Sequence, residues 1–226
     1  MRSPIKLEFS EKYDQQHAQD YFLKHQDGLA RRLSHKRDEQ LARRALALAG
    51  EPGLVLDLPC GAGRFWPLLA EKPNRVIIGA DNSEAMIQTA CAAQPPEVVA
   101  RVRPLQTSAF AIDLPDNSVD SIFCMRLFHH IGEAAHRKTI LDEFQRVSRD
   151  SVILSLWVDG NFKAWRRKKL EQERHAKAEQ GSYQNRFVLP AETVEAEFKA
   201  AGFRIQEHLD FLPFYAMWRV YVLRKG

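Results

Sequence analysis

Asp57 closes an apolar run, Val55-Leu56, and is followed by Leu58-Pro59-Cys60-Gly61-Ala62-Gly63-Arg64-Phe65. Small residues in such a loop let the backbone approach a ligand closely and take φ values that side chains disfavour. A helix starting just beyond it offers free N–H groups at its N-terminus. Strand, tight turn and helix start together make a seat for a nucleotide-like ligand. Asp81 ends the next apolar segment, Arg75 to Ala80, where a carboxylate can accept both hydroxyls of a ribose. Cys124-Met125-Arg126 ends a further apolar segment, and His129-His130 follow it at the same edge. An imidazole titrates near working pH, so either histidine can serve as a base toward a substrate proton. The plainer reading packs one under the sheet and uses the other as a helix cap. Tyr13, Tyr21 and His25 lie upstream, on a segment that either folds over the ligand or packs as core.

These residues need a frame that brings their strand ends together. Residues 12 to 49 read as helix, with Leu29 and Leu33 four apart and Leu41, Ala45 and Leu48 continuing the face. Gly50, Pro52 and Gly53 stop it. Strands are expected at Leu54 to Leu58, Arg75 to Ala80, Val98 to Leu105, Val119 to Met125 and Ser151 to Val158. Helices are expected at Phe65 to Glu71, from an N-cap at Ser83 to Ala93, and at Glu133 to Val147. Near-continuous apolar strands alternating with helices argue for a doubly wound parallel sheet, covered on both faces. After Val158 the rhythm changes. Asn161 to Gly181 and Pro190 to Ala201 read as helices, then Phe203 to Leu209 and Phe214 to Leu223 as strands. A link that short joins antiparallel strands.

The chain has 226 residues, enough for one α/β domain with additions. No apolar run reaches the length of a membrane span, and Met1 to Lys6 lack the apolar core of a signal peptide. Cys60, Cys91 and Cys124 are odd in number and widely spaced. A reducing, cytoplasmic setting is therefore expected rather than a disulfide framework. No metal-ligating cluster is expected. The net charge of +4 is mild and admits an anionic partner without demanding nucleic acid.

Several motifs in order resemble the class I S-adenosylmethionine-dependent methyltransferases, in particular their small-molecule group. VLDLPCGAGRF is similar to the first motif, IIGADNSEAMI to the second, and LPDNSVDSIFCMRLFHHI to the segment around the fourth strand. Leu141 to Val147 resembles the helix before the fifth strand, and Ala201-Gly202-Phe203 the opening of the sixth. The resemblance implies a Rossmann-like, seven-stranded α/β sheet whose last strand inserts antiparallel. It implies S-adenosylmethionine as cofactor, with Asp57, Gly61 and Gly63 holding the methionine part, Asp81 the ribose and Met86 near the adenine. Pro59, Asn82, Ser108, Ala109, Phe110, Met125, Arg126 and Tyr21 complete the expected cofactor residues, and His129 and His130 are the candidate bases.

The sequence departs from the family at three places. Pro59 stands where the first glycine of the loop is usual, removing one N–H donor. Ser108 stands where an acidic residue commonly receives the adenine amino group, and a hydroxyl accepts more weakly. Ser148-Arg149-Asp150 replaces a Pro-Gly-Gly loop. A nicotinamide fold would need a third glycine, and Arg64, Phe65 and Trp66 follow Gly63 instead.

The expected organisation is one methyltransferase domain. Residues 1–49 are a helical lid, 50–159 the cofactor core, 160–189 a helical insertion after strand 5, and 190–226 the last helix and strands. The basic stretch Trp165 to Leu170, with Arg31, Arg32, Lys36, Arg37, Arg43 and Arg44, reads either as a solvated face or as a lid over an anionic substrate. The expected activity is methyl transfer to a small, anionic or amphipathic acceptor. The alternatives are a binding protein that has lost turnover and, lacking any recognisable nucleic-acid module, a nucleic-acid methyltransferase.

Overall fold

A computed structural model of the chain describes Ile5, residues 29–176 and residues 186–226. Seven strands form one sheet: β1 (Leu54–Asp57), β2 (Val76–Asp81), β3 (Val102–Gln106), β4 (Val119–Cys124), β5 (Ser148–Trp157), β6 (Phe203–Asp210) and β7 (Trp218–Lys225). Their order is β3-β2-β1-β4-β5-β7-β6. The first five run parallel, and β7 is antiparallel to both its neighbours. The helices are α1 (Leu29–Leu48), α2 (Trp66–Leu69), α3 (Glu84–Ala93), α4 (Pro96–Val99), α5 (Ala134–Val147), α6 (Phe162–Ala176) and α7 (Ala191–Ala200).

Period-2 alternation along apolar strands gives two cores. Leu56, Ile122, Val152 and Leu154 pack with Ile140, Leu141 and Phe144 of α5 and Phe198 of α7. Their strand neighbours Val55, Phe123 and Ile153 turn to the other face, against Leu41 and Leu46 of α1, Trp66 of α2 and Ile87 of α3. The sheet reverses its winding between β1 and β4, which stand side by side although two strands separate them in sequence. A crevice opens at such a reversal, at the carboxyl ends of the strands.

The helix expected at Phe65 to Glu71 is shorter, Trp66–Leu69, several strand ends shift by one residue, and three boundaries differ for a local reason. Val98 and Val99 are helical, because Pro96 starts a short helix whose first turn needs no N–H from it. The third strand therefore begins at Val102 and, at the sheet edge, keeps none of its residues buried. The fifth strand begins at Ser148 rather than Ser151, paired from Val119 onward. Phe214 is not in the last strand: it sits in a turn at φ +60°, and β7 begins at Trp218. Of the helix expected over residues 12 to 49, the part before Leu29 lies outside the described residues. No described helix is long and apolar enough to cross a membrane.

Candidate functional site

A cavity of about 360 Å³ lies across the carboxyl ends of the strands. One half is framed by the loops after β1, β2 and β3, the other by the end of β4 and the facing ends of β5 and β7.

The glycine loop is held by its own backbone and by Asp81. Cys60 N donates to Ala80 O at 2.7 Å, tying the turn to β2. Gly61 and Gly63 have φ values of +54° and +70°, which a side chain takes only at a cost. Gly61 N donates to Asp81 Oδ2 at 3.0 Å, and Ser83 N donates to Oδ1 at 3.0 Å. Asp81 is only 5 % exposed. Burial raises its carboxyl pKa, while the N–H groups of Ser83, Gly61 and Asn82 pull it back. Each carboxylate oxygen has more acceptor capacity than one N–H uses, so the group remains able to accept from a ligand. Ser83 caps α3, its side chain accepting from Met86 N, and this fixes Met86 in the wall.

The next part of the wall is Thr107 to Phe110. Ser108 Oγ accepts Phe110 N at 3.2 Å, so the hydroxyl already shapes its own turn. Thr107 Oγ1 donates to Ala111 O and accepts from Asp113 N.

The other half is aromatic and basic. Trp157 and Trp218 are direct partners in the β5–β7 register, their rings 5.5 Å apart and near perpendicular. His129 lies 5.0 Å from the Trp157 ring, 4.8 Å from Trp218 and 3.9 Å from His130. The guanidinium of Arg126 stands 4.8 Å over Trp218, and those of Arg167 and Arg186 stand 4.9 and 5.8 Å over Trp157. Phe187 N donates to His129 O at 2.7 Å, which brings the segment carrying Arg186 to this end. Arg126 itself is left-handed at φ +67° where the chain leaves β4. A non-glycine residue held in that region beside a cavity is a mark of a built site. Arg64 and Arg126 both donate to Asp38 of α1, a buried carboxylate that ties the helix to the glycine loop and to the chain leaving β4.

The cavity brings together Pro59, Gly61, Asp81, Asn82, Met86, Ser108, Ala109, Phe110, Met125, Arg126, His129 and His130. It does not include Asp57 or Gly63. Asp57 is 1 % exposed and lies beneath the loop. Its Oδ2 has no hydrogen-bond partner among the described residues, and burial together with the Asp81 charge pushes its carboxyl well above the usual range. Gly63 faces the packing side, where a Cβ would stand 3.0 Å from the Trp66 ring and 3.1 Å from Ala90 Cβ. Tyr21, like Tyr13 and His25, lies outside the described residues.

Both histidines border the cavity, and the ring of His129 is deeply buried. Burial, His130 and the nearby arginines lower His129 to a pKa of about 2. A nitrogen that weakly basic is a poor proton acceptor at neutral pH. The lining residues absent from the sequence reading include Thr107, Trp157, Arg186 and Trp218. Only the strand register and a contact between distant segments bring the last three together. Among the described residues no group of His, Cys, Asp or Glu is placed to hold a metal ion.

Residues 55–151 match the family model described as a methyltransferase domain. No curated protein matches the sequence. The fold is similar to that of magnesium protoporphyrin IX methyltransferase from Synechocystis PCC 6803, solved with bound SAH. That likeness has a TM-score of 0.76 at 15 % identity and covers 96 % of this chain and 98 % of the other. It is similar to human N-acetylserotonin methyltransferase in complex with SAM, at TM-score 0.68 and 16 % identity over 99 % of this chain and 60 % of that one. It is also similar to the [4+2]-cyclase SpnF, at TM-score 0.61 and 17 % identity, covering 83 % and 80 %.

Proposed function

We propose that the protein, whose residues 55–151 match a methyltransferase-domain model and whose fold is similar to that of methyltransferases solved with SAM and SAH, transfers a methyl group from S-adenosylmethionine to a small acceptor. The observation that carries this reading is Asp81, whose buried carboxylate braces the glycine turn through Gly61 N and borders the cavity.

The residues present fit the cofactor. Asp81 offers acceptors for ribose hydroxyls, Met86, Ala109 and Phe110 give an apolar wall for a base, and Gly61 leaves room for close backbone approach. The volume lies within the range of small-molecule sites. S-adenosylmethionine supplies a methyl group on a positively charged sulfur, and its transfer is a direct displacement governed by alignment. Trp157 and Trp218 then shape the acceptor's place, and Arg126 and Arg186 favour an acceptor with an anionic or amphipathic character. Where the acceptor must lose a proton, His130 is the base, since His129 binds one so weakly. Among the described residues, α1 reaches this cavity through Asp38 and α6 through Arg167, and these two helices would border the bound acceptor and cofactor. A cytoplasmic setting, with no nucleic-acid partner, belongs to the same proposal.

A second reading has its own support. Pro59 gives the loop no N–H, Ser108 puts a hydroxyl already accepting Phe110 N where a carboxylate would accept more strongly, and a structure named as a cyclase shares the fold. These favour a protein that binds the cofactor without transferring its methyl group. Incubation with methyl-labelled S-adenosylmethionine and a fractionated small-molecule extract separates the two. Label in a small-molecule product supports transfer, whereas firm binding with no labelled product from any fraction supports the second reading.

A further inference from the structure

The first half of α6 and the turn between β6 and β7 form one exposed face that the cavity does not use. Phe214 is 88 % exposed and Trp165 60 %, and Phe162, Leu170, Leu212 and Tyr215 are exposed around them. Soluble surfaces carry single apolar residues routinely, but a contiguous set of this size marks an interaction site. The set is held in place. Phe162 N donates to Phe214 O at 2.9 Å and Lys163 N donates to Tyr215 O at 3.0 Å. These are free first-turn donors of α6, spent on pinning the turn to the helix. Asn161 Oδ1 caps the same helix by accepting Ala164 N at 3.0 Å. Phe162 stacks on Tyr215 with ring centres 5.8 Å apart.

Basic residues are interleaved with these rings. Lys163, Arg166 and Lys169 are exposed. Lys163 Nζ lies 5.1 Å from the Tyr215 ring and Lys169 Nζ 5.9 Å from Trp165. Aromatic rings beside lysines and arginines suit the boundary between lipid headgroups and acyl chains, where rings insert and cations meet anionic phosphates. We propose that this face docks the protein on an anionic lipid bilayer, with Phe214 and Trp165 inserting and Lys163, Arg166 and Lys169 holding the headgroups.

The chemistry of the patch decides among occupants. Leu170 and Leu212 offer a nucleic acid neither a stacking face nor a charge, whereas they, like Phe214, gain by entering lipid. A second copy of the chain joined through this face would bring its cations against their own kind. The patch also borders the cavity: Arg167, on the same helix, stands over Trp157.

The test is co-sedimentation of the full chain with vesicles of phosphatidylcholine alone and of phosphatidylcholine mixed with phosphatidylglycerol. The chain is expected on the mixed vesicles only, with binding that weakens as salt rises. Each basic residue near such a surface contributes about fivefold in partitioning. Reversing Lys163→Glu, Arg166→Glu and Lys169→Glu together should therefore cost at least a hundredfold, about the product of three such factors. Phe214→Ser with Trp165→Ser should cost about tenfold or more. All five positions are exposed, and an unchanged far-ultraviolet circular dichroism spectrum confirms that each variant folds. Quenching of wild-type tryptophan fluorescence by brominated lipid, lost in Trp165→Phe, is the expected signature of insertion. No binding to either vesicle, or binding that the variants leave unchanged, overturns the proposal. So does binding to a single-stranded oligonucleotide without binding to vesicles, or a dimer that Phe214→Ser dissolves in a protein that ignores lipid.

Discussion

Gly61 and Gly63 share a backbone conformation but not a task, and alanine at each position should separate the two. Both have positive φ, +54° and +70°, so a methyl group at either costs about 1–2 kcal/mol of backbone strain. At Gly63 the new Cβ also meets the Trp66 ring at 3.0 Å and Ala90 Cβ at 3.1 Å. Trp66 is fully buried and cannot swing away, so overpacking adds about 1–3 kcal/mol. Gly63→Ala is therefore expected to lose about 3 kcal/mol of stability in urea unfolding. At Gly61 the Cβ meets only Met86 Cε, at an ordinary 3.6 Å, in the lining of the cavity. Gly61→Ala should lose about 1–2 kcal/mol, and it should weaken binding of S-adenosylhomocysteine more than Gly63→Ala does. Urea curves for both variants and calorimetric titration of the folded proteins measure the two effects. Equal stability losses, or a Gly61→Ala protein that binds like the wild type while Gly63→Ala does not, would refute the division of labour.

Asp38→Ala removes the carboxylate that Arg64 and Arg126 share, leaving Arg64 bonded to His35. Breaking a buried pair costs about 3–5 kcal/mol, and the arginines keep some water, so a loss of about 2–3 kcal/mol is expected in urea unfolding. His129 binds its proton near pH 6.5 when unfolded and near 2 when folded. The unfolded state thus holds an extra proton between those values, and stability falls as pH drops below about 6.5, by up to about 1.4 kcal/mol per unit. His129→Gln should flatten that slope in thermal melts between pH 7 and 5, whereas an unchanged slope would count against the buried neutral ring. Asp57 runs the other way: its folded carboxyl is raised, so the stability that it confers is full below its ordinary value of 3.8 and lost as pH rises through the folded value. Asp57→Asn should make the ligand-free protein more stable at neutral pH, and a less stable variant in the same melts would contradict this. Trp157→Ala should leave S-adenosylhomocysteine affinity within about threefold, below 1 kcal/mol, while abolishing turnover of an identified acceptor. Lost cofactor affinity would move that ring into the cofactor half.

The sheet could be read because its signals are local. Apolar runs, an acid and glycines at their ends, and the cap at Ser83 each declare themselves within a dozen residues. β3 was blurred because Pro96 draws Val98 and Val99 into a helical turn. The start of β7 was blurred because Phe214 and Tyr215 are apolar yet belong to a turn pinned on α6. The glycine loop, Asp81 and Ser108 to Phe110 were legible through the motifs, except that Thr107 was missed and nothing local places Asp57 beneath the loop rather than in the cavity. The aromatic and basic half was not legible. Trp157 and Trp218 meet through an antiparallel register across sixty residues of sequence, and Arg186 arrives through a backbone bond from Phe187 to His129. No spacing rule connects those positions.

Calorimetric titration of S-adenosylhomocysteine into the wild-type chain and into Asp81→Ala tests the central claim most directly. The account predicts micromolar binding by the wild type and none measurable by a folded Asp81→Ala protein. A folded wild type that binds nothing, or two proteins that bind alike, would show that the cavity beside Asp81 is not the cofactor site.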